Sequence, residues 1–276
     1  MKKLPMGIQT FQKIIADECC YVDKTPLIRQ LVDEGEYYFL SRPRRFGKSL
    51  LISTLKSAFL GQKDLFKGLY LEKHWDWTVQ YPVIHISFGS GVIKNREHLD
   101  LVFEEIIQKH LDVYQLSLKN RSLSGRFQEL IQKLHHQSQQ KVVILVDEYD
   151  KPILDNIIDI PLATEIREGL KNIYTVIKDS DEYIKFAFLT GVSKFSKVSL
   201  FSGLNNLTDL TLDRQYATIC GYTETDIKTV FSEYLEGVDF EKLKKWYDGY
   251  NFLGEHVYNP YDVLLYLRNR EFNNYW

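Results

Sequence analysis

Four short apolar runs divide the chain, and amphipathic stretches lie between them. The runs are rich in Val, Ile, Phe and Tyr and nearly continuous, which is typical of strands buried on both faces of a parallel sheet. They predict strands over residues 37–41, 83–88, 142–147 and 185–190. Apolar residues at helical spacing predict helices over residues 48–59, 98–114, 123–137 and 163–179. This alternation predicts an α/β doubly wound domain.

The pattern changes after residue 201, where helical segments follow one another. The segment Thr223-Glu-Thr-Asp226 resembles a capping box, with Asp226 where Glu is usual, and predicts a helix that reaches about residue 235. Further helices are predicted over residues 240–247, with Gly249 as the C-cap residue, and over residues 261–268. We therefore expect a core domain over residues 1–220 and a helical lid over residues 221–276, and we expect the chain to continue into a further domain.

The amino-acid composition is typical of a globular protein. Hydrophobic residues make up 44% of the chain and charged residues 26%, which suits a soluble protein with a substantial core. The formal net charge of -2 excludes a basic field over the whole chain of the kind that nucleic-acid-binding domains carry. We expect Cys19, Cys20 and Cys220 to be reduced thiols, and we find neither a signal peptide nor a membrane span. These features predict a cytoplasmic protein.

A candidate phosphate-binding loop follows the strand over residues 37–41 and opens the next helix. It consists of Arg42, Pro43, Arg44, Arg45, Phe46, Gly47, Lys48 and Ser49. In this context backbone N–H groups converge on phosphate oxygens, and the positive end of the helix adds to the attraction. Lys48 is expected to contact the β and γ phosphates of a nucleotide, and the Ser49 hydroxyl to bind Mg²⁺.

The loop departs from the usual pattern because Arg42 occupies the position of its first glycine. The alternative interpretation is an ordinary turn between a strand and a helix that carries exposed basic residues. The context of strand, loop and helix favours the phosphate-binding loop.

Two adjacent carboxylates end the apolar strand over residues 142–147. A nucleotide-hydrolysing site needs one acid to hold the water shell of Mg²⁺ and a second to orient or deprotonate the attacking water. Asp147 fits the first role and Glu148 the second. The alternative is a strand that simply leaves the sheet on acidic residues. Ligands bind at the carboxyl ends of strands in open α/β sheets, so two such features about 100 residues apart favour the catalytic interpretation.

A third candidate group follows the strand over residues 185–190. Thr190 and Ser193 are predicted to hydrogen-bond the γ-phosphate or the attacking water, and Lys194 to add positive charge. A plain Ser/Gly turn explains the same residues equally well, because such residues are common in turns.

Taken in order, several segments resemble the AAA-ATPase-like family of bacterial and archaeal P-loop proteins. They are residues 21–25 (YVDKT), 38–50 (YFLSRPRRFGKSL), 81–85 (YPVIH), 145–150 (LVDEYD), 189–193 (LTGVS), 220–223 (CGYT), 246–250 (WYDGY) and 258–260 (YNP). In that family the loop typically reads Arg-Pro-Arg-Arg-Phe, so Arg42 is within the pattern. The resemblance implies a three-layer α/β/α P-loop core of the AAA+ type, with an additional strand and a catalytic glutamate, and ATP with Mg²⁺ as ligand.

Members of the family often continue into a restriction-endonuclease-like nuclease domain. No Asp…Glu-x-Lys constellation on a strand is present in this sequence, so we expect no nuclease activity from this chain. The resemblance also implies that residues 21–25, just upstream of the first helix, lie near the adenine. Tyr21 then supplies a stacking surface. The alternative is that Tyr21 belongs to the core.

The three arginines of the loop allow more than one interpretation. Arginine binds phosphate bidentately, so Arg42, Arg44 or Arg45 is a candidate for holding the nucleotide. The others are candidates for pairing with Asp or Glu, or for contacting a partner or a nucleic-acid backbone. A structural salt bridge that braces a glycine-poor loop is an equally good explanation.

Two functions from different classes follow. The first is a Mg²⁺-dependent ATPase that couples hydrolysis to a conformational change, with Arg167, Arg214, Arg268 or a neighbouring subunit as source of a catalytic arginine. The second is a nucleotide-binding switch or interaction module with negligible turnover. We expect weak, salt-dependent DNA binding at Arg42, Arg44, Arg45, Lys194 and Lys197, in competition with ATP. A protein partner on the C-terminal side, around Trp246 and Tyr250, is the alternative.

Overall fold

The computed structural model describes residues 1–194 and 206–275. A five-stranded parallel sheet forms its centre, with the strands in the order β2-β3-β4-β1-β5. The strands are β1 (Tyr37–Ser41), β2 (Val83–Ser87), β3 (Val142–Asp147), β4 (Ile184–Gly191) and β5 (Thr208–Asp209). The four predicted strands and their parallel arrangement are confirmed. β5 was not predicted, because it is two residues long.

Helices fill the intervals between the strands. They are α1 (Phe11–Ala16), α2 (Thr25–Glu34), α3 (Lys48–Phe59), α4 (Leu71–His74), α5 (Arg96–Tyr114), α6 (Leu123–Ser138), α7 (Lys151–Leu154) and α8 (Ile160–Asp179). The bounds of α3 are the predicted ones, and α5, α6 and α8 differ from the prediction by at most three residues at an end. The short helices α1, α4 and α7 leave no periodic pattern in the sequence.

The sheet is buried on both of its faces. All six residues of β3 are buried, and they alternate between two hydrophobic clusters. Val142, Ile144 and Val146 belong to the cluster that contains side chains of α5, α6 and α8. Val143 and Leu145 belong to the cluster that contains side chains of α1, α2 and α3. This alternation is the period of a strand between two layers, and it explains the continuous apolar run in the sequence.

The C-terminal region combines helices with a hairpin. It contains α9 (Glu224–Val230), α10 (Phe240–Tyr247), the antiparallel strands β6 (Tyr250–Phe252) and β7 (Glu255–Val257), and α11 (Pro260–Asn269). The predicted capping box of Thr223 and Asp226 is confirmed. The helix expected to reach residue 235 ends earlier, at Val230, and a 3-10 turn follows. Gly249 is not the C-cap residue that we expected, because α10 ends one residue earlier than that cap requires and Asp248 is its C-cap.

A third hydrophobic cluster joins the two ends of the chain. Cys20 and Val22 of the N-terminal segment pack with Ile227, Leu243 and other residues of the C-terminal region. Lys24 and Asp226 form a salt bridge of 2.6 Å between the same two segments. A domain boundary at residue 220 stays a prediction. Among the described residues, no helix has the length and apolar character that a membrane crossing requires.

Candidate functional site

A cavity of about 560 Å³ opens at the carboxyl edge of the sheet. Its lining includes residues that follow β1, β2, β3 and β4, which is where open α/β sheets bind ligands. The N-terminal segment, α3 and the C-terminal region complete the walls. The volume lies within the range of about 300–1,000 Å³ that is typical of small-molecule sites.

The loop after β1 presents a helix N-terminus to this cavity. Gly47 is the N-cap residue of α3 and has a φ of 91°, a left-handed conformation that glycine adopts without strain. No side chain caps α3. In the described chain the N–H groups of Lys48, Ser49 and Leu50 donate no hydrogen bond. Free N–H groups at the positive end of a helix form a ready site for an anion such as phosphate.

Lys48 is buried and is held by its own loop. Its Nζ donates hydrogen bonds to the carbonyl oxygens of Arg42 at 2.9 Å and Pro43 at 2.8 Å. These two carbonyls are partners that the sequence did not predict, in addition to the expected phosphates. Burial lowers the pKa of Lys48, whereas the charges of Asp147, Asp150 and Glu148 oppose that shift. An ammonium has three N–H donors, so one remains for a ligand in the cavity.

Arg42 does not face the cavity, contrary to one of the predicted contacts. Its side chain is 1% exposed and its guanidinium lies 3.9 Å from the centre of the Phe252 ring. The guanidinium donates to the carbonyl oxygens of Ser41, Thr211, Tyr216 and Ala217. The predicted bracing role is therefore real, but carbonyl groups and a ring provide it in place of a salt bridge. The Arg42 side chain is not available to nucleotide or DNA.

The next two arginines do line the cavity. Arg44 and Arg45 are exposed side chains at its edge, and Pro43 contributes its carbonyl to Lys48 rather than to the lining. Arg45 has a φ of 62°, and its guanidinium lies 3.9 Å above the centre of the Tyr261 ring. Phe46 and Ser49 line the cavity as well. The predicted loop thus supplies most of one wall.

The two acids after β3 differ in environment. Asp147 is 6% exposed, and its carboxylate accepts a hydrogen bond of 2.8 Å from the Thr190 hydroxyl. Glu148 is half-buried, lines the cavity and has a φ of 56°. Burial raises the pKa of Glu148, and the neighbouring charge of Asp147 adds to the increase. A carboxylate with a raised pKa is a better proton acceptor near neutral pH.

Thr190 and Ser193 lie outside the cavity lining, so their predicted contact with a phosphate is not supported. Thr190 is fully buried and orients Asp147. Ser193 contributes its backbone, which donates to Asp150 at 2.6 Å and accepts from the Tyr149 hydroxyl at 2.8 Å. The reason is that β4 continues through Gly191, one residue beyond the prediction, which leaves Thr190 inside the sheet.

Lys194 forms a salt bridge of 2.5 Å with Asp209, at the opposite side of β1 from β4. Its predicted positive charge is therefore partly neutralised. Lys197 lies outside the described residues.

Asp150 is a residue of the site to which the sequence analysis gave no role. It is 1% exposed, and its Oδ2 accepts from the N–H groups of Val192 at 2.9 Å and Ser193 at 2.6 Å. Its Oδ1 has no partner in the described chain. Burial raises the pKa of Asp150, whereas these hydrogen bonds oppose the increase. Asp150 thereby ties the end of β3 to the end of β4, next to Lys48. The sequence feature that could have predicted this role is the position of Asp150, an acidic residue three positions after Asp147.

A substitution at Gly191 tests how tightly the ends of β3 and β4 are packed against each other. A Cβ at this position lies 2.3 Å from the Tyr149 ring and 2.6 Å from Asp150 Oδ1. The ring has little room to move, because the Tyr149 hydroxyl is bonded to the carbonyl of Ser193. We expect Gly191→Ala to lower the free energy of unfolding by about 1–3 kcal/mol. Urea denaturation measures this change, with Gly249→Ala as control because nothing lies within 4 Å of its Cβ. Equal stabilities of the two variants contradict the packing.

Several aromatic and apolar side chains contribute to the lining of the cavity. Tyr21 and Val22 line it together with Tyr222, Pro260 and Leu264 of the C-terminal region. The Tyr21 hydroxyl is 3.3 Å from the Thr54 hydroxyl, and its ring packs against Phe11. Tyr21 is therefore both a packing residue and a wall of the cavity, and its adenine contact stays a prediction. The contribution of the C-terminal region to this lining was not predicted.

The chemistry of the lining fits ATP and Mg²⁺. In the residues that the structure describes, no group of three or more His, Cys, Asp or Glu side chains is placed to hold a metal ion. Mg²⁺ keeps several of its waters and usually takes one or two protein ligands with substrate phosphates, so it does not need such a cluster. Ser49 and Asp147 are the predicted ligands. Ser49 lines the cavity beside Lys48, whereas Asp147 lies outside the lining, directly before Glu148, so its contact with Mg²⁺ stays a prediction.

Comparison with known proteins shows to which family the chain belongs. The model of a family described as predicted AAA-ATPase matches residues 5–201. The chain belongs to this predicted AAA-ATPase family. The match includes the loop after β1, both acids after β3 and the end of β4, and family membership therefore supports nucleotide binding.

The chain is also similar to an uncharacterized protein in the vnfD 5' region of Azotobacter chroococcum mcd 1. The two are 52% identical over 276 residues, which is 100% of this predicted AAA-ATPase and 54% of the relative. The chain thus spans about half the length of this curated relative.

Proposed function

We propose that this member of the predicted AAA-ATPase family binds ATP with Mg²⁺ and hydrolyses it to ADP and phosphate. One observation carries the proposal. A single cavity is lined by Lys48 and Ser49, at an uncapped helix N-terminus, and also by Glu148. Groups that attract phosphate and a carboxylate suited to water activation therefore border the same space.

The phosphate end of the cavity has cations and N–H donors. The free N–H groups of Lys48, Ser49 and Leu50 bind phosphate oxygens, and the remaining N–H donor of Lys48 adds a charge-assisted bond. Arg44 and Arg45 at the cavity edge add positive charge. Ser49 in the lining and Asp147, directly before Glu148, would hold Mg²⁺ and its waters. When bound, Mg²⁺ neutralises charge on the phosphate oxygens.

Glu148 accepts the proton of the attacking water in this proposal. The water oxygen forms a bond to the γ-phosphorus, the bond to the ADP oxygen breaks, and ADP leaves with that electron pair. Glu148 lies in the left-handed region with a φ of 56°, which costs a non-glycine residue energy and often occurs at functional sites. Thr190 and Asp150 act as positioning residues through Asp147 and through the end of β4.

The AAA+ type of fold, the lid and the cytoplasmic location are parts of the same proposal. In support of the AAA+ type, β4 lies as an additional strand between the loop strand β1 and the acid strand β3. In support of a lid, Tyr222, Pro260, Tyr261 and Leu264 cover one side of the cavity. The free thiols Cys19, Cys20 and Cys220 suit a reducing compartment.

A nucleotide-binding switch with negligible turnover is the second candidate. Arg167, Arg214 and Arg268 do not line the cavity, and among the described residues only Arg44 and Arg45 bring a guanidinium to it. An arginine that stabilises the transition state is worth about 10³–10⁵ in rate. The position of Arg167, Arg214 and Arg268 outside the lining therefore favours slow turnover, and Arg44 and Arg45 are the arginines in the described chain that are left for this role. Single-turnover hydrolysis with enzyme in excess of ATP separates the two candidates.

Asp147→Asn tests the assignment of the metal ligands. The substitution keeps the shape and removes the charge that holds the Mg²⁺ waters, so we expect the Mg²⁺ concentration at half-maximal ATP binding to rise about 10- to 100-fold. A Mg²⁺ titration of ATP binding measures this. If Asp147→Asn and Glu148→Gln behave alike, the division of roles between the two acids is wrong.

Partners besides ATP are a separate proposal. Of the five positions expected to contact DNA, Arg42 is buried and Lys194 is paired, which leaves Arg44 and Arg45 among the described ones. Both line the cavity, so we propose that DNA binding is weak, that it falls with salt, and that ATP competes with it. A nuclease domain or another protein on the C-terminal side is the alternative partner.

A further inference from the structure

The C-terminal region contacts three residues of the loop after β1. Arg42 stacks on Phe252, Phe46 packs against Tyr250, and Arg45 stacks on Tyr261. We propose that the hairpin of β6 and β7 is a positioning element of the ATP site. It holds the glycine-poor loop in its phosphate-accepting shape, and ATP binding in turn stabilises the docked hairpin. This inference rests on the proposed ATP binding.

The contact between Arg42 and Phe252 helps to position Arg42, whose backbone carbonyl accepts a hydrogen bond from Lys48. The Arg42 guanidinium forms no ion pair within the described residues, and its Nε has no hydrogen-bond partner there. The face of the Phe252 ring therefore stabilises a desolvated cation, which is the condition under which cation–π contacts are strongest. The carbonyl of the same Arg42 accepts from Lys48 Nζ at 2.9 Å. Loss of the ring removes this stabilisation and leaves the four carbonyl bonds to hold Arg42, which loosens the residue whose carbonyl anchors Lys48.

The contact at Phe46 controls the beginning of α3. Phe46 is fully buried, and its ring lies edge-on to Tyr250 with 4.6 Å between the ring centres. Its carbonyl accepts from the N–H of Gly221 at 3.1 Å. The next residue is Gly47, the N-cap of α3, whose free N–H groups face the cavity. The hairpin thus fixes the residue that sets where this helix starts.

The hairpin itself depends on the loop. β6 and β7 are three residues each, and Leu253 and Gly254 at the turn have positive φ values. A two-stranded hairpin of this size is marginally stable alone, so its order comes from docking. If docking of the hairpin strengthens the binding of a ligand to the loop, that ligand stabilises the docked hairpin by the same coupling free energy, because coupling is reciprocal. Neither Tyr250 nor Phe252 lines the cavity, so their effect on ATP is indirect.

Three variants of the full chain distinguish the cation–π contact of the Phe252 ring from apolar packing alone. Phe252→Leu keeps an apolar side chain and removes the ring, Phe252→Tyr keeps the ring, and Leu253→Ala alters an exposed neighbour in the same turn. Isothermal titration with ATP and Mg²⁺ gives the affinities. We expect the Kd to rise about tenfold for Phe252→Leu and to change less than about twofold for the other two.

Amide hydrogen exchange of residues 250–257 distinguishes coupling to ATP from a purely structural role. If the hairpin only supports the fold, its exchange rate does not change when ATP binds. At an ATP concentration that saturates the wild type but lies below the Kd of Lys48→Ala, we expect ATP with Mg²⁺ to slow this exchange in the wild type and to leave it unchanged in the variant. This comparison decides the question even if Phe252→Leu fails to fold.

Two results overturn the inference. In the first, the wild type binds ATP, but hairpin exchange does not respond and Phe252→Leu binds ATP like the wild type. The hairpin is then not a positioning element, and the proposed function stands. In the second, the wild type binds no ATP, and both proposals fall.

Discussion

Lys48→Ala is expected to weaken ATP binding about tenfold to a hundredfold, because the variant loses a charge-assisted contact worth about 1.5–3 kcal/mol. The lysine is buried at the start of α3 and keeps one N–H donor for a ligand after bonding two carbonyls of its own loop. Isothermal titration of the variant with ATP and Mg²⁺ measures the loss. Lys56→Ala is the matched control, since Lys56 lies on the same helix and does not line the cavity.

The stability of Lys48→Ala in the absence of nucleotide also carries information. The substitution leaves the carbonyls of Arg42 and Pro43 without their donor, but it also removes a buried cation that forms no salt bridge within the described chain. These effects oppose each other, so we expect a change in unfolding free energy of at most about 1–2 kcal/mol. Unchanged ATP affinity in a folded Lys48→Ala protein contradicts the assignment of the phosphate loop.

Glu148→Gln is expected to retain ATP binding and to lose at least about 100-fold in the rate of hydrolysis. The amide keeps the shape of the side chain but cannot accept the proton of the attacking water, and a positioned general base contributes about 10²–10⁴ in rate. A single-turnover assay measures the rate after saturation with ATP. Glu165→Gln, an exposed position on α8, is the control.

The pH dependence of hydrolysis tests the same residue. The base works only when it is deprotonated, so activity must fall as the pH drops through its pKa. Burial and Asp147 raise the pKa of Glu148 above its usual 4.5, so the acid limb of the rate profile lies above that value. If Glu148→Gln hydrolyses ATP at the wild-type rate, Glu148 is not the base.

Much of the fold could be predicted because its signals are local. A strand buried on both faces must be apolar at every position, as β3 is, and a helix that starts at a glycine and follows such a strand has a defined beginning. The bounds of β1, β3 and α3 were predicted to the residue for this reason. The hairpin of β6 and β7 was missed because strands of three residues have no periodic pattern.

The side-chain partners in the site could not be predicted in the same way. Arg42 turns away from the cavity because its acceptors, such as Thr211 and Tyr216, lie about 170 residues further along the chain. Thr190 orients Asp147 because the register of two neighbouring strands brings them together. Asp150 has its role through backbone groups at the end of β4. Such partners follow from tertiary packing, which residue types and spacing do not specify.

The central claim is that the cavity at the loop after β1 is an ATP site that depends on Mg²⁺ and supports turnover. Titration of the wild-type chain with ATP, with Mg²⁺ and with EDTA in its place, followed by product analysis with and without DNA, tests it most directly. We expect saturable binding that weakens in EDTA, and ADP formation that is lost in Glu148→Gln. Binding that is absent, or that is equal in wild type and Lys48→Ala, contradicts it.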